Sequence, residues 1–249
     1  MINPEINVAA ASLTTTYNTA AEFPHIVFND FVNKTILDDV AREAKFLVNE
    51  EDAETSEWRM GSNQWNDAID HSDQVFKRGI RDLEKMPFYM NLLCRYFNSD
   101  EFMEFMRQLT GIEDLSPDPG LEGGGFHVTY PGGLLNIHHD FNYKDDIDPV
   151  RMYRKVNLLI YLNEEWEDAW QGALELWKSD LTEDFKTLQP KYGRAIMFNI
   201  EDAPHGHPEP LKCPPGESRR SLAFYYYSKT PNNNRLYDRA HWKHGNKLV

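Results

Sequence analysis

The 249-residue sequence predicts an α+β fold, mainly β, in which a helical N-terminal layer packs on an all-β sandwich or barrel. Three observations predict it. Apolar residues recur at helical spacing through the first part of the chain. From Phe126 onward the hydrophobic period switches to two. Turn-rich stretches holding Pro and Gly then separate one short apolar run from the next. Hydrophobic residues make up 41% and aromatics 13%, enough to bury a core, which excludes wholesale disorder.

Residues 1–22 are small and polar and read as a flexible N-terminal arm ahead of a single domain over 23–249. FPHIVFNDFV mixes apolar and polar residues like a short edge strand. Asn33 is placed to cap a helix in which Ile36, Leu37, Val40, Ala41, Ala44 and Leu47 share one face. Residues 50–82 are charged and carry Trp58 and Trp65 without a period, so they read as a long loop with at most one helix. PFYMNLLCRYF (87–97) and SDEFMEFMRQLTG read as two helices, with Met90, Met103 and Met106 as core filler. Ser99 stands at the N-cap of the second, Asp100 and Glu101 in its first turn, and Gly111 just past its end. Residues 23–115 thus form a helical support layer and a candidate lid, and SPDPGLEGGG (116–125) is a connector.

Six strand-like runs follow: FHVTY, LLNIHHDF, KVNLLIYL, GALELW, RAIMFNI and RRSLAFYYYS. The turns between them are PGG (131–133), NEEWEDAWQG (163–172), PKYG (190–193) and PHGHPEPLKCPPGE (204–217).

The chain carries 26 basic and 40 acidic residues, net −14. Such a surface repels phosphate backbones and anionic lipid, which argues against nucleic acid and membranes as partners. It still admits a small anion held by one placed Arg. Two cysteines, Cys94 and Cys213, make no disulfide framework, and a reducing compartment is expected. The N-terminus has no basic start and no apolar core of the signal-peptide kind, and no run approaches the about 20 apolar residues of a membrane helix. A cytoplasmic location follows as the expectation.

Chemistry concentrates in LLNIHHDF. Alternate side chains of a strand share a face, so His138 and Asp140 project together and His139 points away. An imidazole and a carboxylate on one rigid strand are two thirds of a two-histidine, one-carboxylate metal site. PHGHPEP offers a third ligand from either His205 or His207. RRSLAFYYYS opens on two arginines. On one face of that strand Arg219, Ser221, Ala223 and Tyr225 would leave room for a ligand, and a guanidinium matches a carboxylate in bidentate fashion. His127, Trp177, Tyr226 and Tyr227 read as packing residues.

In this order the text resembles the Fe(II)/2-oxoglutarate dioxygenases, most closely their prolyl hydroxylase branch. The matching segments are TYPGG (129–133), HHD (138–140), LLIYLNEEW (158–166), GALELW (172–177), LQPKYGRAIMFN (188–199), the His at 205 and RRSLAFYYY (219–227). The resemblance implies a double-stranded β-helix, a jelly-roll or cupin-like core, over 120–230 of a catalytic domain. It implies that His138, Asp140 and His205 hold Fe(II), with His207 the rival third ligand. Arg219, rather than Arg220, would bind the distal carboxylate of 2-oxoglutarate. Tyr161 would hydrogen-bond that carboxylate, Leu159 would face the same pocket, and Tyr130 would lie near the iron-chelating end of the cosubstrate.

The cofactors so implied are Fe(II), 2-oxoglutarate as cosubstrate and O2, with ascorbate added. Oxidative decarboxylation to succinate and CO2 would drive hydroxylation of an unactivated C–H bond, a prolyl residue of a peptide or protein being the leading substrate. A free amino acid or other small molecule is the alternative. A non-catalytic metal- or ligand-binding sensor or scaffold is the alternative of another class. Trp58, Arg59, Trp65 and Asn66 are the candidate lid over the substrate mouth.

Overall fold

The computed structural model describes residues 1–49, 73–145, 151–201, 203–232, 239–244 and 247–248. The candidate lid residues Trp58, Arg59, Trp65 and Asn66 lie outside them. Strands β1 (His25–Phe28), β2 (Gln74–Ile80), β3 (Gly125–His139), β4 (Tyr143–Asp145), β5 (Arg151–Tyr161) and β6 (Leu174–Trp177) join β7 (Asp184–Leu188), β8 (Ala195–Asn199), β9 (His205–His207) and β10 (Arg219–Ser228) in one curled antiparallel sheet. Its order is β1-β8-β5-β10-β3-β9-β6-β7. Strands β2 and β11 (His241–His244) also pair with β3, β4 pairs with β5, and β12 (Lys247–Leu248) pairs with β11. This is the expected mainly β, double-stranded β-helix architecture.

Strand β3 joins the two halves. Its first part pairs with β10 through Thr129↔Arg219 and Ser221↔His127, and its last part pairs with β9 through His138↔His205. PGG is therefore no turn between two strands but an irregularity inside one. Gly132 takes φ +80°, and the β2–β3 register jumps from Lys77↔Thr129 to Val75↔Leu134. The displaced backbone bonds elsewhere: the Gly132 amide donates to Leu211 and the Leu211 amide to Gly133.

Alternation sorts the strands into two faces. On β10, Leu222, Phe224 and Tyr226 pack with the helices, and on β5 so do Val156, Leu158 and Ile160. The helical layer comprises α1 (Pro4–Asn18), α2 (Lys34–Asn49), α3 (Phe88–Phe97) and α4 (Asp100–Thr110). Phe97 joins the layers, with ring centroids 4.8 Å from both Phe102 and Phe224. Helix boundaries follow their caps. The Asn33 side chain accepts from the Thr35 amide, Ser99 from the Phe102 amide, and Gly111 closes α4 at φ +75°. Met90, Met103 and Met106 are fully buried, and Cys94 and Cys213 are buried and free. No described helix is long and apolar enough to cross a membrane.

Three further expectations need correction. Residues 1–22 are not a flexible arm without a packing pattern. Asn3 caps α1, Pro4 starts it, and Ile6, Ala10, Leu13 and Tyr17 recur along one stripe toward the core. The Thr14 hydroxyl fastens α1 to α4 by donating to the Gln108 carbonyl at 2.6 Å. Residues 74–80 are a strand rather than loop, because the β3 edge offers them a full ladder. Residues 205–207, assigned to a turn, form β9 between β3 and β6. Replacing Tyr17, 1% exposed, by Ala should lower stability by about 3 kcal/mol in a denaturant titration. A detached arm would show no loss.

Candidate functional site

A cavity of about 1160 Å³ opens on the sheet face away from the helices. At one end, β3 carries His138 next to its last residue, Asp140 follows the strand directly, and β9 begins with His205. A bulge in β3, where Leu135↔His207 is followed by His138↔His205, turns His138 into the cavity that Leu135 also lines. Gly206 lets β9 lie this close: a Cβ there would stand 2.6 Å from the Asn136 carbonyl oxygen.

The three side chains converge, one ligand atom from each lying within 4.8 Å of the others. His138 Nε2 is 3.5 Å from Asp140 Oδ1, and His205 Nε2 is 3.5 Å from Asp140 Oδ2. Each imidazole donates from Nδ1 to a backbone carbonyl at 2.9 Å, His138 to Asn136 and His205 to Ala203. That network leaves both Nε2 lone pairs facing the carboxylate. Burial pushes the His205 pKa down to about 3, so this ring is neutral.

Burial also disfavours the Asp140 carboxylate, yet Arg154, with His205 and His138 beside it, holds its pKa well below the ordinary range. Arg154 Nη2 donates to Asp140 Oδ2 at 2.8 Å, and Asn157 Nδ2 to the same oxygen at 2.9 Å. The fully buried guanidinium lies 3.3 Å over the Tyr225 ring and bonds Asn157 Oδ1 through Nε at 2.9 Å. Three acceptor groups facing one another repel unless a cation sits among them. Two imidazoles and a carboxylate suit Fe(II), so the donor set fits that ion.

At the other end stands Arg219, 7% exposed. Its Nη2 donates to the Tyr161 hydroxyl at 2.9 Å and its Nε to the Gly172 carbonyl at 2.8 Å. Burial raises the Tyr161 pKa, so the phenol keeps a proton to donate onward. Leu159, Leu174, Ser221 and His207 line the space beside them. Arg220 faces the other way. Its side chain reaches Glu217 at 3.6 Å and its amide donates to Asn163 Oδ1.

The structure thus gathers His138, Asp140, His205, Arg219 and Leu159 around one cavity, with the buried Tyr161 bonded to Arg219. His207 lines it but stays outside the converging trio. Tyr130 does not belong there. It follows Phe126 and Val128 onto the opposite face, packs against the helical core and has the Arg78 guanidinium 5.7 Å from its ring. His127, expected to pack, faces the cavity, and Trp177 bonds Glu175 through its indole N–H at 2.8 Å.

Arg154, Asn157, Lys77 and Trp242 were not anticipated. Asn157 was readable, since it shares the alternation of Leu159 and Tyr161. A cation inside the apolar run MYRKVNLLIYL was the available signal for Arg154, because a buried charge requires a counter-charge. Trp242, on β11, lies tilted with its ring centroid 4.9 Å from that of His138 and lines that end.

Residues 124–227 match the family model described as the 2OG-Fe(II) oxygenase superfamily. No curated protein matches the chain. Among solved structures, a prolyl-4-hydroxylase of Pseudomonas putida is similar at 18% identity and TM-score 0.58, over 88% of this chain and 99% of that one. A Trichoplax adhaerens prolyl hydroxylase, solved with a hypoxia inducible factor oxygen degradation domain peptide, is similar at 16% identity and TM-score 0.61, over 90% and 92%. HygX from Streptomyces hygroscopicus, solved with nickel, 2-oxoglutarate and hygromycin B, is similar at 12% identity and TM-score 0.50, over 82% and 83%. At such identities the likeness to these structures is one of fold. The family match over residues 124–227 and the shared fold together support a 2OG-Fe(II) oxygenase, prolyl hydroxylase-like in fold.

Proposed function

We propose that this enzyme hydroxylates an unactivated C–H bond of a prolyl residue in a peptide or protein. In this reading His138, Asp140 and His205 hold Fe(II), and Arg219 with Tyr161 receives the distal carboxylate of 2-oxoglutarate. The observation that carries the reading is the two-ended cavity, with a convergent imidazole–imidazole–carboxylate set at one end and a buried arginine at the other. When bound, the iron and cosubstrate supply oxidation by O2, yielding succinate and CO2, with ascorbate as the reductant.

The chain's own residues do the positioning. Three protein ligands placed this way would hold Fe(II) and leave its cavity side to the cosubstrate. Arg154 and Asn157 fix Asp140 through Oδ2 and keep it anionic. The carbonyls of Asn136 and Ala203 hold the two rings in the tautomer that presents Nε2. Arg219 and the Tyr161 hydroxyl offer donors to a carboxylate, which selects a diacid over a monoacid because a buried guanidinium left unpaired is costly. Leu159 and Leu174 exclude water from the wall between the two ends.

The prolyl assignment draws on the fold neighbours. A small-molecule substrate is the second reading, favoured by Trp242, which narrows the cavity over His138. Succinate release from 2-oxoglutarate with Fe(II) and ascorbate, in the presence of proline-containing peptides or free L-proline, separates the two. No succinate with any substrate would overturn both.

Replacing His138 or Asp140 by Ala should abolish stoichiometric iron binding by metal analysis. His205→Ala should abolish turnover while His207→Ala keeps stoichiometric iron. Arg219→Ala should raise the KM for 2-oxoglutarate about 10- to 100-fold, the loss of a charged hydrogen-bonded pair, while Arg220→Ala leaves it near wild type. Arg154→Met should destabilise the fold by about 3–5 kcal/mol and weaken Mn(II) binding about 10- to 100-fold, read by chemical unfolding and calorimetry.

A further inference from the structure

Beside Arg219 the cavity holds polar groups for which neither the iron site nor Arg219 has a use. Cross-strand pairing puts Lys77, Thr129 and Arg219 in one row, and Gly79, His127, Ser221 and Tyr161 in the next. Gly79, which carries no side chain, is the cross-strand neighbour of His127. Lys77 makes no hydrogen bond or ion pair among the described residues. Burial, with Arg219 and Arg154 nearby, lowers its pKa to about 8, and Asp140 offsets this in part. His207, 3% exposed, leaves both ring nitrogens unpartnered among the described residues, and His127, 6% exposed, leaves Nε2 so. Burial keeps the His127 imidazole neutral, with Lys77 and Arg219 adding to the effect. His207, with neither ring nitrogen engaged, can turn an N–H toward an acceptor, whereas the bonded His127 ring presents only the Nε2 lone pair.

At the mouth, Arg81 and Arg239 also lack an ion pair among the described residues, while the acidic Asp73 bonds Asn136. Cations so gathered in a chain of net charge −14 are not a product of composition.

We propose that Lys77 and His207 form a second carboxylate-binding subsite beside Arg219. It rests on the cosubstrate reading above and deepens it. The carboxylate has two sources. It is the distal group of 2-oxoglutarate, shared with Arg219, or it belongs to the primary substrate, which is then an acid.

The test uses the full chain loaded with Mn(II), and calorimetry as the readout. Lys77→Met is compared with wild type and with Lys77→Arg, which keeps the charge and should restore binding. One arm titrates 2-oxoglutarate against 2-oxobutanoate, which lacks the distal carboxylate. The other, at saturating 2-oxoglutarate, titrates L-proline against L-prolinamide. A loss of about tenfold or more for 2-oxoglutarate but not 2-oxobutanoate assigns the subsite to the cosubstrate. A like loss for L-proline but not L-prolinamide assigns it to the substrate. Unchanged affinity in both arms overturns the proposal, and so does an equal loss for both members of each pair, which marks a field effect of the whole cavity. Failure of wild type to bind 2-oxoglutarate would instead overturn the reading beneath it.

Discussion

The site depends on a carboxylate kept ionised where water is scarce. Asp140 faces two imidazole lone pairs, and burial alone would drive it toward protonation. The Arg154 guanidinium prevents this from behind. It is itself fully buried, and the faces of Tyr225 and Phe141 and the Asn157 amide oxygen complete its surroundings. Each member needs the others: without Arg154 the carboxylate would take up a proton, and without Asp140 the guanidinium would be a stranded charge. What remains on the cavity side of this assembly is acceptor-rich and cation-seeking.

The sheet makes that arrangement compatible with a stable core. On β5 and β10 one set of alternate residues fastens the helices, so the other set is free to carry polar chemistry. Phe224 and Tyr226 do the first task, and Tyr226 also donates its hydroxyl proton to the Phe97 carbonyl at 3.1 Å. Arg219, Ser221 and Tyr225 do the second. Substitutions on one face therefore need not disturb the other, and a substrate preference can change while the scaffold persists.

How far the site was legible follows from the same geometry. Where alternation is unbroken, reading along the strand succeeds: His138 with Asp140, Leu159 with Tyr161, and Arg219 rather than Arg220 toward the cavity. The helices of residues 88–110 were equally clear, since caps and apolar stripes agreed. The stripe of α1 was also present, as Ile6, Ala10, Leu13 and Tyr17, but it is sparse and its small residues resemble linker text. Tyr130 was placed by resemblance, and its own strand phase, shared with Phe126 and Val128, pointed the other way. Strand β11 carries no alternation of its own and exists because β3 offers it an edge.

Arg154 shows why pattern alone falls short. Counted by twos from Val156 and Leu158, it belongs on the helix side. Between Tyr226↔Val156 and Tyr227↔Arg154 the register skips Lys155, and that bulge carries Arg154 across the sheet to Asp140. A second bulge, in β3, does the same for His138 relative to Leu135. Both irregularities involve residues that form or brace the converging set. A regular strand can point two side chains the same way, but bringing groups from three strands to one point requires local departures from its period. Two of the sheet's irregularities thus lie where the ligand geometry demands them, and an iron-type site of this kind is encoded as much in the placement of bulges as in the identity of its histidines.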